Sequence, residues 1–307
     1  MHAELFVPDR CHRFESECKS CIMMIRCPSQ ACRQRKRMFL TLLPDQRLLP
    51  YVRGYWFVHD WDGAYAGRPI TTAPHPGAVL SVNFGRPNEM DGGQIIPRAA
   101  LLGIQTVARQ WKAFPETYFV MAMLSVRGLV RLFPTTGNDT SDRLLHLSDL
   151  IGDRAANAFR VDLTSAWEPQ YVCSQLDRWL LKRLDDTKLP SELPRLIAAC
   201  SALRTGQSVD AAASLISLGR RQMNRWFHLH LGISANELSD LERLEASVRA
   251  VQQRNGDPLA RYSDQAHQIR SWRKRLPFTP GFYRKSSPSE MATSFGSSGP
   301  EAPSFYL

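Results

Sequence analysis

Residues 209–231, VDAAASLISLGRRQMNRWFHLHL, carry the most informative pattern in this chain of 307 residues. Small side chains on one side of the first segment predict a short, closely packed helix. Gly219 then permits a tight turn, and Met223 and Phe227 follow at a spacing that places both on one face of a second helix. The pattern therefore predicts a helix, a turn and a second helix.

The second helix of this pair is rich in hydrogen-bond donors. With Met223 and Phe227 directed inward, long polar side chains lie on its other faces. Arginine pairs with guanine through two hydrogen bonds, and asparagine pairs with adenine in the same way. An ordinary helical hairpin with a solvated basic face has the same spacing, so this alternative stays open. The predicted DNA-contacting residues of this helix are Arg221, Asn224, Arg225 and His228.

Charge is distributed unevenly along the chain, which has a net charge of +10. Residues 204–285 contain 14 Lys and Arg against 7 Asp and Glu, whereas residues 38–203 contain 17 against 16. Cations that neutralise phosphates release condensed counterions, so a compact basic segment favours a polyanionic partner such as duplex DNA. A basic surface that is simply solvated is the alternative.

The pattern upstream of the helices is different. From Met38 to about Val126, short apolar runs separated by Gly and Pro predict strands, including an aromatic-rich run at residues 51–58. Beyond Gly128 the apolar residues recur at helical spacing. We therefore predict an α+β protein with two domains. A β-rich, barrel-like N-terminal domain precedes an all-α C-terminal domain that has two helix-turn-helix units, the second of them truncated.

These changes of pattern divide the chain into five predicted parts. The last part is rich in Ser and Pro and has only two charged residues, which is typical of disorder. The predicted parts are a Cys-rich basic extension at 1–37, a β-rich sensing or dimerisation domain at 38–165, connecting helices at 166–205, the helix-turn-helix domain at 206–285 and a disordered tail at 286–307.

Five of the seven cysteines lie within residues 1–37. Cys18 and Cys21 have a spacing found in zinc sites, but the four residues between Cys27 and Cys32 are unusual for one. The segment is interpreted as a flexible extension or as a start codon assigned too early. Structural zinc and a cysteine-based alkyl acceptor are the alternatives, and the prediction is that the protein has no metal and no cofactor.

The β-rich part also contains residues that are typical of ligand sites. His59 and His75 are interpreted as packing and turn residues, with ligand binding as the alternative. Aromatic residues in a small β domain are usually core, although they also line pockets. The aromatic candidates are Trp56, Trp61, Trp111 and Tyr118.

Several of these segments resemble a known family. Residues 218–227, LGRRQMNRWF, and 231–234, LGIS, are similar to the first helix-turn-helix of AraC/XylS-type transcriptional regulators. Residues 262–267, YSDQAH, and 278–284, FTPGFYR, are similar to the end of the DNA-binding domain of that family. The resemblance implies a sequence-specific DNA-binding regulator, with Gln265, His267 and Arg270 as further DNA-contacting candidates.

The resemblance extends upstream. Residues 49–56, LPYVRGYW, 74–77, PHPG, and 102–106, LGIQT, are similar to the N-terminal domain found in one branch of these regulators. It covers about residues 44–285 and implies a cupin-like, β-rich domain that senses an effector or dimerises. No particular effector is implied.

The chain departs from the family pattern at two places. Pro258 to Ala260 run directly into Tyr262, so most of the helix that braces the second unit is missing, and Gln268 stands where the family has a large apolar residue. A helix without its brace buries less apolar surface and is held less firmly. We therefore expect the first unit to dominate base reading, while the second contributes weakly or contacts only phosphates.

The predicted function is that of a cytoplasmic transcriptional regulator that is not an enzyme. The sequence has no phosphate-binding loop, nucleophile elbow or dinucleotide fingerprint, and no apolar run long enough for a membrane span. Double-stranded DNA is the predicted partner, and a small-molecule effector, RNA polymerase and a second copy of the chain are candidate partners. The alternative is a regulator remnant that binds a ligand or a protein without useful DNA affinity.

Overall fold

The computed structural model describes residues 38–134, 137–164, 167–188, 190–254, 259, 261–296 and 304–307. All of them belong to one compact unit, Lys36–Leu307. The Cys-rich extension at 1–37 lies outside the described residues, so its interpretations stay predictions. No helix in the described stretches is both long enough and apolar enough to cross a bilayer.

The first part of this unit is β-rich and contains two antiparallel sheets. A six-stranded sheet has the order β1-β2-β9-β4-β7-β10, and a four-stranded sheet has the order β3-β8-β5-β6. The strands, in chain order, are β1 Met38–Leu42, β2 Val52–Asp60, β3 Pro69–Thr72, β4 Ala78–Asn83, β5 Glu89–Met90, β6 Gln94–Ile95, β7 Ala99–Leu102, β8 Arg109–Lys112, β9 Thr117–Leu124 and β10 Leu144–His146.

The larger sheet is buried on both faces. Side chains alternate between the two faces of a strand, so neighbouring residues of β2 enter different cores. Tyr55 and Phe57 pack among residues of the helices, whereas Trp56 and Val58 belong to a second cluster that contains residues of the smaller sheet and of the C-terminal segment. Burial on both faces explains why the aromatic-rich run predicted at residues 51–58 is apolar almost throughout.

The rest of the unit is helical apart from β10 and the last residues. The helices are α1 Val126–Leu132, α2 Gly137–Thr140, α3 Leu147–Ile151, α4 Asp153–Thr164, α5 Pro169–Asp186, α6 Leu193–Arg204, α7 Val209–Leu215, α8 Arg220–Leu231, α9 Ala235–Gln253, α10 Gln265–Arg275, α11 Pro280–Lys285 and α12 Glu290–Gly296, with a short 3-10 turn at Gln46–Leu48. A β-rich region followed by a helical region confirms the predicted fold class.

Helix α9 is the centre of the C-terminal part. It begins at a capping box, in which Ser234 accepts from the backbone of Glu237 and the Glu237 side chain accepts from the backbone of Ser234. Leu244, Val248 and Val251 of α9 pack with Trp272 of α10 in one buried cluster. The helices on either side of α9 are therefore positioned by it.

Two parts of the C-terminal segment, α12 and residues 304–307, pack against the rest of the unit, which corrects one expectation. Met291 and Phe295 of α12 are buried, and so are Phe305 and Tyr306. The prediction of a disordered tail over residues 286–307 is wrong for α12 and for residues 304–307. Ser and Pro dominate the composition of the segment, but its aromatic side chains pack against an apolar face of the sheets that is formed by residues distant in the sequence.

Candidate nucleic-acid interface

Helices α7 and α8 are joined by a tight turn at residues 216–219. Ser208 caps α7 by accepting from the backbone N–H of Ala211 at 3.1 Å. The chain reverses at Ser217, which has a left-handed φ of 52°, and the Leu218 N–H donates to the carbonyl oxygen of Ala213 at 3.0 Å. The turn therefore places α8 directly after α7, where the sequence predicted it.

Helix α8 has one buried face and one basic face. Met223, Phe227 and Leu231 are fully buried, the first two as predicted. Three predicted DNA-contacting residues are exposed: Arg221, Arg225 and His228. For Arg221 and Arg225, no hydrogen bond or ion pair to another described residue is seen. Their guanidinium groups are thus available for an anionic partner.

Asn224 has a structural contact that sequence reasoning missed. It is half-buried, and its Oδ1 accepts from the backbone N–H of Ala235 at 3.1 Å. Ala235 is the first residue of α9, whose initial N–H groups have no partner within the helix. Asn224 therefore fastens α8 to α9, and its predicted contact with adenine stays a prediction.

The remaining sides of α8 are held by neighbouring elements. The Arg195 guanidinium lies 5.4 Å from the centre of the Trp226 ring, and His230 Nε2 lies 3.1 Å from Glu192 Oε1. Gly232 ends the helix with a left-handed φ of 72°, and a Cβ there would overlap the carbonyl oxygen of Gly137 in α2. The contacts with α6 and α2 thus leave the basic face uncovered by described residues.

The second set of predicted residues lies on α10. Gln265 and Arg270 are exposed. His267 is half-buried, since its Nδ1 is 3.1 Å from Ser263 Oγ and its ring meets Tyr262 edge-on at 5.3 Å. The two predicted sets therefore lie on different helices, both of which contact α9.

Gln268 is the residue that departs from the family pattern, and its surroundings account for its polarity. It is buried at 3% exposure, and its Nε2 donates to Ser247 Oγ of α9 at 3.0 Å. The indole N–H of Trp272 donates to the same oxygen at 3.1 Å. A buried amide is tolerated when it is hydrogen-bonded, so Ser247 compensates for the missing apolar side chain.

The described residues between α9 and α10, 254, 259 and 261–264, contain no helix, and the rest of this connection lies outside the described part of the chain. Part of the support comes instead from the β-rich region. Arg275, at the end of α10, is buried, and its Nη1 donates to the carbonyl oxygen of Thr106 at 2.7 Å. The N–H of Ala108 donates to the carbonyl oxygen of Arg275 at 2.8 Å. The loop before β8 thus holds the end of α10.

A buried group of charges also joins the two regions. Glu245 of α9 is 5% exposed, and its Oε1 lies 3.2 Å from Arg53 Nη1 of β2 and 3.8 Å from Arg249 Nη2. His75 Nδ1 is 3.7 Å away, but burial lowers the pKa of His75 to about 4, so its ring is neutral near pH 7. Arg53 is therefore the main cation that compensates Glu245.

The two carboxyl groups of this charge cluster behave differently. Burial raises the pKa of Glu242 to about 7, and the negative charge of Glu245 adds to that effect. Burial also disfavours the charged form of Glu245, but Arg53 and Arg249 outweigh it and hold the pKa of Glu245 below its ordinary value. A space of about 270 Å³ adjoins the cluster, lined also by Arg204 and Arg261. The part of the boundary around Glu245 is thus polar and charged.

The β-rich region contains a small apolar cavity of about 50 Å³ between its sheets. Trp111 lines it, together with Phe305 and Tyr306 from the end of the chain. The ring centres of Trp61 and Tyr118 lie 6.1 Å apart. Neither residue is among those that line the cavity. Among the described residues, no group of three or more His, Cys, Asp or Glu is arranged to hold a metal ion.

Comparison with known proteins gives distant structural similarity only. No known family model matches the chain, and no curated protein matches it. The chain is similar to the crystal structure of ToxT from Vibrio cholerae O395, at 9% identity and a TM-score of 0.38, covering 75% of this chain and 95% of that one. It is also similar to unsaturated fatty acid bound wild-type ToxT from Vibrio cholerae strain SCE256, at 8% identity and a TM-score of 0.41, covering 82% and 97%.

Proposed function

We propose that this chain is a sequence-specific DNA-binding transcriptional regulator in which α8 enters the major groove. The observation that carries the proposal is the exposed basic face of α8, where Arg221 and Arg225 project from a helix whose opposite face is fully buried. A recognition helix reads base edges mainly with its N-terminal residues. Both arginines lie in the N-terminal half of α8, whereas the contacts with α2 lie at its C-terminal end.

The net charge of the helical region supports the same proposal. An excess of seven positive charges over residues 204–285, counted as 14 Lys and Arg against 7 Asp and Glu, favours contact with phosphates. Exposed basic residues of α10, including Arg270 and Arg273, add cations beyond α8. In this proposal the second set, Gln265, His267 and Arg270, contacts mainly the DNA backbone, because the unit that carries it lacks most of its bracing helix. Phosphate contacts position a protein on DNA, whereas base contacts give specificity.

The remaining parts of the proposal concern partners. The β-rich region receives a small-molecule effector or a second copy of the chain, and the DNA-bound protein acts on RNA polymerase in the cytoplasm. The alternative, a regulator remnant without useful DNA affinity, is an outcome of the test below.

The test begins with selection of duplexes from a random oligonucleotide library by the full chain. Affinity for the selected duplex and for a scrambled duplex is then measured by fluorescence anisotropy at several salt concentrations. Specific binding is typically tighter than non-specific binding by a factor of about 10³ or more. With about six phosphates engaged, the slope of log affinity against log salt is roughly −5.

A matched pair of variants assigns the effect to α8. R221A/R225A removes two arginines from the basic face, and R154A/R178A removes two exposed arginines from α4 and α5. Each lost base contact costs about 1–3 kcal/mol, so we expect R221A/R225A to lose at least tenfold in affinity and most of its discrimination, while the control keeps both. Equal, weak binding of all duplexes by the folded wild type would refute the proposed function and favour the remnant.

A further inference from the structure

The last described residues of the chain lie alongside the smaller sheet. The N–H of Ala73 donates to the carbonyl oxygen of Phe305 at 2.7 Å, and the N–H of Leu307 donates to that of Thr71 at 3.0 Å. Thr72 of β3 and Tyr306 form an antiparallel bridge. Since β3 is an edge strand, residues 304–307 extend the smaller sheet at an edge that would otherwise expose unpaired backbone groups.

Helix α12 covers the neighbouring part of the larger sheet. The ring of Phe295 stacks on Trp56 of β2, with 4.4 Å between ring centres and 3° between planes. Phe39 of β1 meets Phe295 edge-on at 5.8 Å. Offset stacking of this kind adds to the free energy gained from burial. Helix α12 and residues 304–307 are called the C-terminal strap below.

The same strap is bonded to α9. Gln252 Nε2 donates to the carbonyl oxygen of Tyr306 at 2.7 Å and to the hydroxyl of Tyr283 at 2.8 Å. Gln253 Nε2 donates to the carbonyl oxygen of Gly296 at 3.5 Å. One short piece of chain therefore binds both the β-rich region and the helix that carries α8 and α10.

Tyr306 joins these contacts into one unit. Its backbone bridges to β3 and accepts from Gln252, while its buried side chain lines the cavity and places its hydroxyl 3.6 Å from Met121 Sδ. Packed interiors respond to displacement by rearranging rather than by deforming gradually. Movement of Tyr306 would therefore loosen the edge of the smaller sheet and the end of α9 together.

We propose that the C-terminal strap is an autoinhibitory tie: it clamps α9 to the β-rich region and restrains the helices on α9 from adjusting to a duplex. The inference rests on the proposed DNA binding for its consequence, but the clamping itself does not. Any rearrangement of α8 and α10 on DNA that moves α9 relative to the β-rich region has to break the strap contacts as well as the Arg53–Glu245 pair. Release of the strap therefore raises DNA affinity.

Two variants release the strap at Tyr306, one from the side of the smaller sheet and one from the side of α9. Deletion of residues 304–307 removes the contact with β3, and Gln252→Met removes the donor from α9. Thr293→Ala is the control, because Thr293 lies on the exposed side of α12 and its hydroxyl donates to the carbonyl oxygen of Ser289, the residue before that helix. Circular dichroism and a cooperative thermal transition establish that each variant is folded.

Hydrogen exchange of the C-terminal half of α9 is measured first, without DNA. Loss of one hydrogen bond to the strap is expected to accelerate exchange there by about tenfold in both release variants and not in the control. Unchanged exchange in both folded release variants would overturn the proposal, whatever the protein does with DNA.

Affinity for the selected duplex is measured second. Both release variants are expected to bind at least threefold more tightly than the wild type, while Thr293→Ala binds equally well. Faster exchange with unchanged or weaker affinity would overturn the inhibitory role of the strap. If the wild type and all variants fail to discriminate between duplexes, the proposed function has failed, and the exchange result still decides whether the strap clamps α9.

Discussion

Glu242 is expected to make the stability of the protein depend on pH, and Glu242→Gln is the perturbation that shows it. Glu242 is 6% exposed, and the pKa of its carboxyl group is raised from 4.5 to about 7 because burial and the nearby charge of Glu245 both disfavour ionisation. A glutamine keeps the size of the side chain and cannot ionise.

The direction in which the free energy of unfolding changes with pH follows from proton binding. Between about pH 4.5 and pH 7 the folded state keeps a proton on Glu242 that the unfolded state has lost, so the free energy of unfolding falls as pH rises through this window. At about 1.4 kcal/mol per pH unit, a pKa raised from 4.5 to about 7 sets an upper bound of about 3 kcal/mol on the loss. Glu242→Gln removes this loss, so its advantage over the wild type is absent near pH 4 and fully developed above pH 7.

Urea unfolding followed by tryptophan fluorescence, at several values between about pH 5 and pH 8, measures the difference. Glu116→Gln is the control, since Glu116 is exposed at the surface. We expect Glu242→Gln to gain up to about 3 kcal/mol relative to the wild type between pH 5 and pH 8, while Glu116→Gln follows the wild type. Parallel curves for Glu242→Gln and the wild type would show that Glu242 is not held protonated by its surroundings.

Three further predictions concern other contacts described above. Arg53→Met should destabilise the protein by about 3 kcal/mol in urea at pH 7, because it leaves buried Glu245 without its main cation, and the added change Glu245→Gln should restore much of the loss. Gly232→Ala should cost more than about 1 kcal/mol in thermal unfolding, because position 232 has a left-handed φ of 72° and no room for a Cβ; an unchanged melting temperature would contradict this. Q265A/R270A should reduce affinity for the selected duplex less than the α8 double variant does, and it should lower the salt slope by about 1; a larger loss would give α10 the leading role.

The sequence predicted the parts of this fold that depend on local spacing. The run of large apolar side chains at residues 51–58 predicts a strand, because such a run needs burial on both faces. The structure has β2 at Val52–Asp60. Met223 and Phe227 were placed inward by their helical spacing, and both are fully buried. Periodicity of this kind is a property of neighbouring residues and is visible without the rest of the chain.

Contacts between distant residues could not be predicted in the same way. Trp56 read as a core or pocket residue, but nothing near it in the sequence points to Phe295 as its stacking partner. Gln268 is predicted to weaken the packing of its helix, because its hydrogen-bond acceptor, Ser247, lies in another helix and cannot be identified from the neighbouring sequence. Asn224 read as a base-reading residue because its type suits adenine, and its bond to Ala235 depends on how α8 meets α9.

The burial of Arg275 has a consequence for how this protein is best handled. In the full chain its guanidinium donates to Thr106, and the nearby core includes Ala73 from the β-rich region. A fragment cut at residue 206 would bring that arginine into water, would remove Ala73 and Ala108 from the cluster around Leu244 and Trp272, and would lose the support that the loop before β8 gives to α10. The helices after residue 206 are therefore expected to be less stable as an excised fragment than in the full chain, so DNA binding is best measured with the full chain.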